Sequence, residues 1–179
     1  VCGAPLLCTI DNKNTRGKDY ENLRDIPRPS HADFTAYEKF GEFRDVAGGG
    51  QFSGRLTAPI CIAGGICMQI LNEKGIFIGS HIASIGDVCD DLFDPCKVTK
   101  EDFPKDLFFP VLNNEKGELM KEVIAKVRLE QDSIGGSIEC VICGMPTGVG
   151  NALFGGIESR LSSAVFAIPA VKGIEFGNG

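Results

Sequence analysis

The sequence contains no tryptophan and only two histidines, and 24 acidic side chains outnumber 18 basic ones for a net charge of −6. Two histidines cannot build a three-His metal centre or a His-rich proton relay, so no metal site is expected. An acidic chain with a pI near 5.0 offers no general hold on nucleic acid or an anionic membrane, and neither is expected as a partner. The longest apolar stretch, Ala58 to Leu71, stops short of the roughly 18 residues that a transmembrane helix needs, which predicts no span. The first residues show neither a basic stretch nor a small-residue cleavage pattern, so no signal peptide is legible. The chain starts without Met and stops at Gly177-Asn178-Gly179; a fragment of something longer is the expectation.

What is present suits a globular fold. With 179 residues and 43% hydrophobic content, residues 1–179 are expected to form a single domain with a core of its own. The 23 glycines imply many tight turns and close backbone approaches. The eight cysteines mostly lie in apolar runs and read as reduced core thiols. Cys140-Val-Ile-Cys143 has no second pair and no nearby His, as a zinc site would require.

Along the chain, residues 4–11 read as a buried strand and 12–29 as a charged loop. Residues 31–40 predict a short helix ending at Gly41. A second helix, with Ser53 as its cap and Pro59 early in it, is expected to run to Leu71 and close by Gly75. Residues 76–86 alternate as a strand, and 87–117 form an acidic, irregular excursion, the expected site of mobility. A helix over 118–130, a strand over 136–144 and a helix over 157–168 complete the order. It is not a regular βαβα alternation, which favours α+β with an antiparallel sheet over a doubly wound fold.

The chemistry concentrates near the front. Five of the seven arginines, Arg16, Arg24, Arg28, Arg44 and Arg55, fall within residues 16–55 of an otherwise acidic protein. Guanidinium forks converging on one cleft would bind a small polyanion. The plainer account is pairing with the seven Asp and Glu of the same segment, which is the expectation for Arg16 and Arg24. Gly48-Gly49-Gly50, followed by Gln51-Phe52-Ser53 and a helix start, can bring backbone N–H groups against an anion; a purely structural turn explains it equally well. His31, between Arg28-Pro29 and Asp33, suits a proton donor near neutral pH or a capping role, while His81 reads as structural.

The string RPSHADFTAYEKFGEFRD, followed by AGGGQFSGR, resembles the chorismate synthase signature. KNTRGKDYENLRDIPRP before it, and DSIGGSIECVICGMPTGVG and IPAVKGIEFGNG after it, match in the same order over essentially the whole chain. The resemblance implies an α+β fold of antiparallel sheets sandwiching helices, in a cytoplasmic homotetramer. It implies an enzyme that uses reduced FMN to convert 5-enolpyruvylshikimate 3-phosphate to chorismate and phosphate, the last step of the shikimate pathway. By position, His31 matches a family proton donor, and Arg28 and Arg55 match substrate-binding arginines. Gln51, Phe52 and Ser53, with Pro169 and Ala170, match flavin contacts. The family commonly has Gly where this chain has Ser30, Arg where it has Ala47, and Arg or His at Gln51. These residues correspond to the central portion of the family chain, without the amino-terminal part carrying a second catalytic His or the carboxy-terminal part carrying an Asp base. Little turnover is therefore expected of this stretch alone. The alternative is a non-catalytic scaffold or oligomerisation module.

Overall fold

The computed structural model describes residues 3–13, 16–46, 48–105 and 108–177. Its main elements are α1 (Asp33–Phe40), α2 (Thr57–Glu73), β1 (Phe77–Ile85), β2 (Val88–Cys89), α3 (Asn114–Leu129), β3 (Gly136–Cys143) and α4 (Ile157–Val165), with short 3-10 turns between them. The class is α+β. The chain divides into two compact units, one of residues 1–65 and 150–179, the other of residues 66–149.

Capping chemistry sets the helix ends. Ser53 Oγ accepts the Arg55 N–H in the 3-10 turn that leads into α2. At its far end, Gly75 adopts a φ of 76° while Gly75 N–H and Ile76 N–H return to the carbonyls of Asn72 and Leu71. That pair of bonds is the Schellman closure, which needs a left-handed residue where Gly75 stands. Asn113 Oδ1 accepts the N–H groups of Glu115 and Lys116, so α3 begins at Asn114 rather than 118 and shortens the expected excursion. α4 ends at Val165 rather than 168, because Pro169 disfavours helical backbone at Ile168.

In the second unit the sheet order is β2-β1-β3, antiparallel throughout, with β1 paired to β3 from Phe77↔Cys143 to Ile85↔Gly136. An irregularity between Ile82 and Ser84 frees β1 to bond elsewhere. Ile82 N–H reaches Pro110 O at 2.7 Å, and Ala83 O accepts Asp90 N–H at 2.8 Å. One face of β1 presents Gly79, His81 and Ala83, all buried. Phe103 lies across Gly79, where a Cβ would stand 2.4 Å from the ring. Phe93 meets His81 edge-on at 4.9 Å, and Met120 of α3 is fully buried.

The polar centre of this core is His81. Its Nε2 is 2.7 Å from Glu139 Oε2, and its Nδ1 is 3.1 Å from both Asp90 Oδ2 and Ile82 O. Asp90 also accepts the N–H groups of Leu112 and Asn113, and Glu139 that of Phe93. Both ends of the 87–113 segment are thereby tied to the sheet through one imidazole. Among the described residues no buried side-chain nitrogen or oxygen lacks a partner.

Three expectations change. Residues 4–11 form no strand: they are irregular, with Leu7 86% exposed, because an apolar run becomes a strand only where a neighbour's ladder satisfies its backbone. The thiols are not core. Cys8, Cys61, Cys67, Cys89, Cys96 and Cys140 are exposed and Cys143 is half-buried, all free, while Cys2 lies outside the described residues. Apolar neighbours predict burial only if something covers the run, and no residue of α2 is buried. The length argument against a membrane span also fails, since the 3-10 turn extends α2. Gly54–Glu73 makes 20 helical residues with a mean hydropathy of 1.4, enough to cross a bilayer by length and composition alone.

Replacing His81 with Ala removes the ring that bridges Asp90 and Glu139 in the core, a loss of about 1–3 kcal/mol for buried polar groups stripped of a hydrogen-bond partner. Urea unfolding should register that loss, and hydrogen exchange should show the Leu112 and Asn113 amides losing protection while α1 keeps its own.

Candidate active site

The first unit places the front arginines, the glycine run and His31 on consecutive turns. Pro29 and Ser30 reverse the chain before α1, with Ser30 at a φ of 55°, a left-handed conformation that costs a non-glycine residue about 1–2 kcal/mol. The turn brings Arg28 and His31 to the start of α1, where Asp33 supplies the acidic residue that a helix amino terminus favours.

Asp33 organises the cluster. Its Oδ2 accepts Arg28 N–H at 3.0 Å and Arg28 Nε–H at 2.7 Å; its Oδ1 accepts Arg28 Nη2–H at 2.9 Å and lies 2.8 Å from His31 Nδ1. The Arg28 hydrogen bonds hold the Asp33 carboxyl far below the usual carboxylate range against the opposing effect of burial, and Asp33 raises Arg28 in return. At neutral pH Asp33 is a carboxylate that only accepts. Arg28 spends its Nε and one terminal nitrogen on it, which leaves Nη1 to point elsewhere.

The glycine run closes over His31. Gly48, Gly49 and Gly50 have φ values of 93°, 89° and 49°. A Cβ on Gly49 would sit 3.2 Å from His31 Cε1, 3.6 Å from Nε2 and 3.7 Å from Arg28 Nη2; one on Gly48 would sit 2.7 Å from Arg55 Nη1. Glycine is therefore required twice over, by backbone handedness and by the approach of the cations. The helix interior that three glycines exclude is indeed absent here, and a 3-10 turn over Gly50–Phe52 follows.

Arg55 is held more loosely. Its Nη1 donates to Gly48 O at 3.5 Å and its Nη2 to Tyr20 Oη at 3.3 Å, both long bonds on an exposed side chain. Tyr20, 35 positions away, was not legible as part of the site: its only signal is that it is one of two tyrosines. Arg44 serves the scaffold, stacking over the Tyr37 ring at 4.7 Å and donating to the carbonyls of Gly41 and Arg24. Arg16 and Arg24 are exposed, and among the described residues neither forms the expected ion pair with an acidic group.

Of the residues matched to flavin contacts, Gln51 is exposed, Phe52 is 38% exposed with its ring 6.2 Å from that of Phe40, and Ser53 caps Arg55 while its own O–H remains a donor. Pro169 and Ala170 lie in an exposed turn after α4, with Ala170 at a φ of 71°. The contacts that assemble Arg28, His31, Asp33, the glycines and Arg55 all come from residues 20–55. Ala47 lies outside the described residues.

Fold and site together define an α+β protein in which guanidinium groups, a glycine turn and one imidazole stand side by side in the first unit. The chorismate synthase family profile matches residues 1–179. The chain is 42% identical over 191 aligned positions to the chorismate synthase of Lancefieldella parvula, covering 99% of this chain and 50% of that protein. It is 41% identical to the chorismate synthase of Chitinophaga pinensis, covering 99% and 44%. A crystal structure of chorismate synthase superposes with a TM-score of 0.63 at 27% identity, covering 78% of this chain and 45% of the other. The chain belongs to the chorismate synthase family, and it spans about half the length of the relatives it matches.

Ser30→Gly removes the Cβ that the left-handed turn resents and should stabilise the protein by about 0.5–1 kcal/mol in urea unfolding, net of the entropy glycine brings to the unfolded chain. Asp33 gives a pH signature. Its folded pKa lies below its unfolded value of about 3.9, so the unfolded state binds more protons between the two. Its stabilisation is fully present above that window and drains as pH falls through the folded value. The urea-midpoint gap between wild type and Asp33→Asn should hold steady from about pH 5 upward and narrow below about pH 4.

Proposed function

We propose that this chain is the central portion of a cytoplasmic, homotetrameric chorismate synthase, a lyase of the shikimate pathway. It would catalyse the 1,4-trans elimination of phosphate from 5-enolpyruvylshikimate 3-phosphate to give chorismate, with reduced FMN. The observation that carries this reading is the Arg28–Asp33–His31 cluster against Gly49, with Arg55 beside it. The substrate bears two carboxylates and a phosphate, and this centre offers cations beside a proton donor, in a form that suits a departing phosphate.

The two arginines divide the work. Arg55, loosely tethered, has most of its fork left for an anion; Arg28 gives one edge to Asp33 and presents only the other. Arg55 is thus the main substrate cation and Arg28 holds the framework of His31. The donor set fits part of a flavin site: the Ser53 hydroxyl, the half-exposed Phe52 ring and Gln51 stand beside the glycines, and the turn at Pro169 and Ala170 would add contacts. Reduced flavin, when bound, supplies transient electron density for the elimination. The residues of this chain bind the anion, orient it and hold the proton at His31. We place α2 and the outer sheet face, where Ile138 is 66% exposed, against the parts of the family chain that these residues do not include rather than in a bilayer.

The test is a chimera in which this chain replaces the matching half of the L. parvula enzyme. A folded chimera should form chorismate with reduced FMN under anaerobic conditions, whereas the 179 residues alone should not. Within it, His31→Ala should lower kcat by about 10²-fold or more, the scale for losing a positioned proton donor. Arg55→Lys should raise KM, because a point charge does not replace a fork. A folded chimera whose turnover ignores His31→Ala ends this reading.

A further inference from the structure

Arg55 stands in the 3-10 turn that opens α2, an end of a helix where a cation is disfavoured, so the helix field works against its guanidinium. The fork is met from elsewhere. Tyr20 Oη accepts from Nη2 at 3.3 Å, and Gly48 O accepts from Nη1 at 3.5 Å. Tyr20 is half-buried in the 3-10 turn Gly17–Arg24 with its ring against the glycine run: a Cβ on Gly48 would stand 3.8 Å from the ring's Cζ. Arg44 ties that turn to α1, because it donates to Arg24 O while stacking over the Tyr37 ring. The Tyr20 oxygen also reaches Arg28 electrostatically, adding to the upward shift that the Asp33 hydrogen bond chiefly causes against burial.

The two arginines thus have tethers of different kinds. Asp33 is a carboxylate, so it orients Arg28 and offsets its charge in the same act. Tyr20 offers a hydroxyl instead, which can accept from a guanidinium without pairing its charge. We infer that Tyr20 is a positioning residue that aims the Arg55 fork and leaves its positive charge for an anionic ligand. That this anion belongs to 5-enolpyruvylshikimate 3-phosphate rests on the function proposed above; the aiming does not. The bond to Tyr20 is long, so Nη2 can turn from it to a ligand oxygen, and the side chain has already given up part of the rotamer freedom that binding would cost.

Inorganic phosphate titrated into the 15N-labelled 179-residue chain, followed at the Gly49 amide, reads anion affinity without turnover. Tyr20→Phe keeps the ring beside Gly48 and removes only the oxygen; it should weaken phosphate by roughly 3- to 10-fold, the scale of one hydrogen bond. Added to Arg55→Lys, whose ammonium has no fork to aim, it should cost nothing more, whereas a residue that only supported the fold would weaken binding again. In the wild type, the Tyr20 ring protons should show nuclear Overhauser contacts to the Arg55 side chain, assigned between the two tyrosines with Tyr37→Phe. Absence of those contacts overturns the inference whether or not Tyr20→Phe folds. Equal phosphate affinity with and without the Tyr20 oxygen overturns it, as does an additive loss in the double variant or a wild-type Gly49 amide that phosphate leaves unmoved. Loss of the function reading shows separately, as indifference of the chimera to His31→Ala.

Discussion

The front of this protein is built on the demand of one carboxylate. Asp33 takes two donors from the Arg28 side chain and one from its backbone and stands against the ring of His31, so three groups that would otherwise move freely share one geometry. An exposed arginine–aspartate pair contributes little because holding two long side chains costs rotamer entropy. Here the side chain of Asp33 is only 15% exposed and its bonds are bidentate, so the guanidinium plane is fixed as well as its charge. The cluster gains orientation rather than a large share of stability.

The glycine run makes the second half of that constraint. A side chain at 49 would press on the His31 ring and one at 48 would push aside the tip of Arg55, so the turn brings its backbone close to both groups. Of the four non-glycine residues with positive φ among the described residues, Ser30 stands next to His31. Its left-handed backbone carries a penalty that glycine would not, immediately before that histidine.

Sequence periodicity located α1, α2, β1, α3, β3 and α4 because each is governed by nearby residues: a cap, an alternation, a closing glycine. It failed at 4–11 and for the thiols, where the outcome depends on what lies opposite, and an apolar run carries no record of that. Arg28, His31 and Asp33 were legible as neighbours within six positions. The division between Arg28 and Arg55 was not legible, since spacing cannot tell a fork already spent on a carboxylate from one held by two long bonds. Tyr20 was invisible for a related reason: a single hydroxyl 35 positions from its partner leaves no pattern.

The same distinction explains how a stretch half the length of its relatives keeps an organised centre. All the contacts that set His31 arise between residues 20 and 55, so loop closure is short and its entropy cost small. The His81 cluster works differently. It joins β1 to Glu139 across 58 positions and to the far end of a long excursion through Asp90, so it depends on the three-stranded sheet being complete. That sheet is contained within residues 66–149 and supplies its own partners. Among the described residues nothing buries the apolar surface of α2, whose 17 residues include none that is buried. Apolar area left in water forgoes roughly 25 cal/mol per Å² and favours any surface that removes it from solvent. The geometry around His31 is therefore encoded locally and the cover of α2 is not, which is why an organised cluster can coexist with a helix whose apolar face is open.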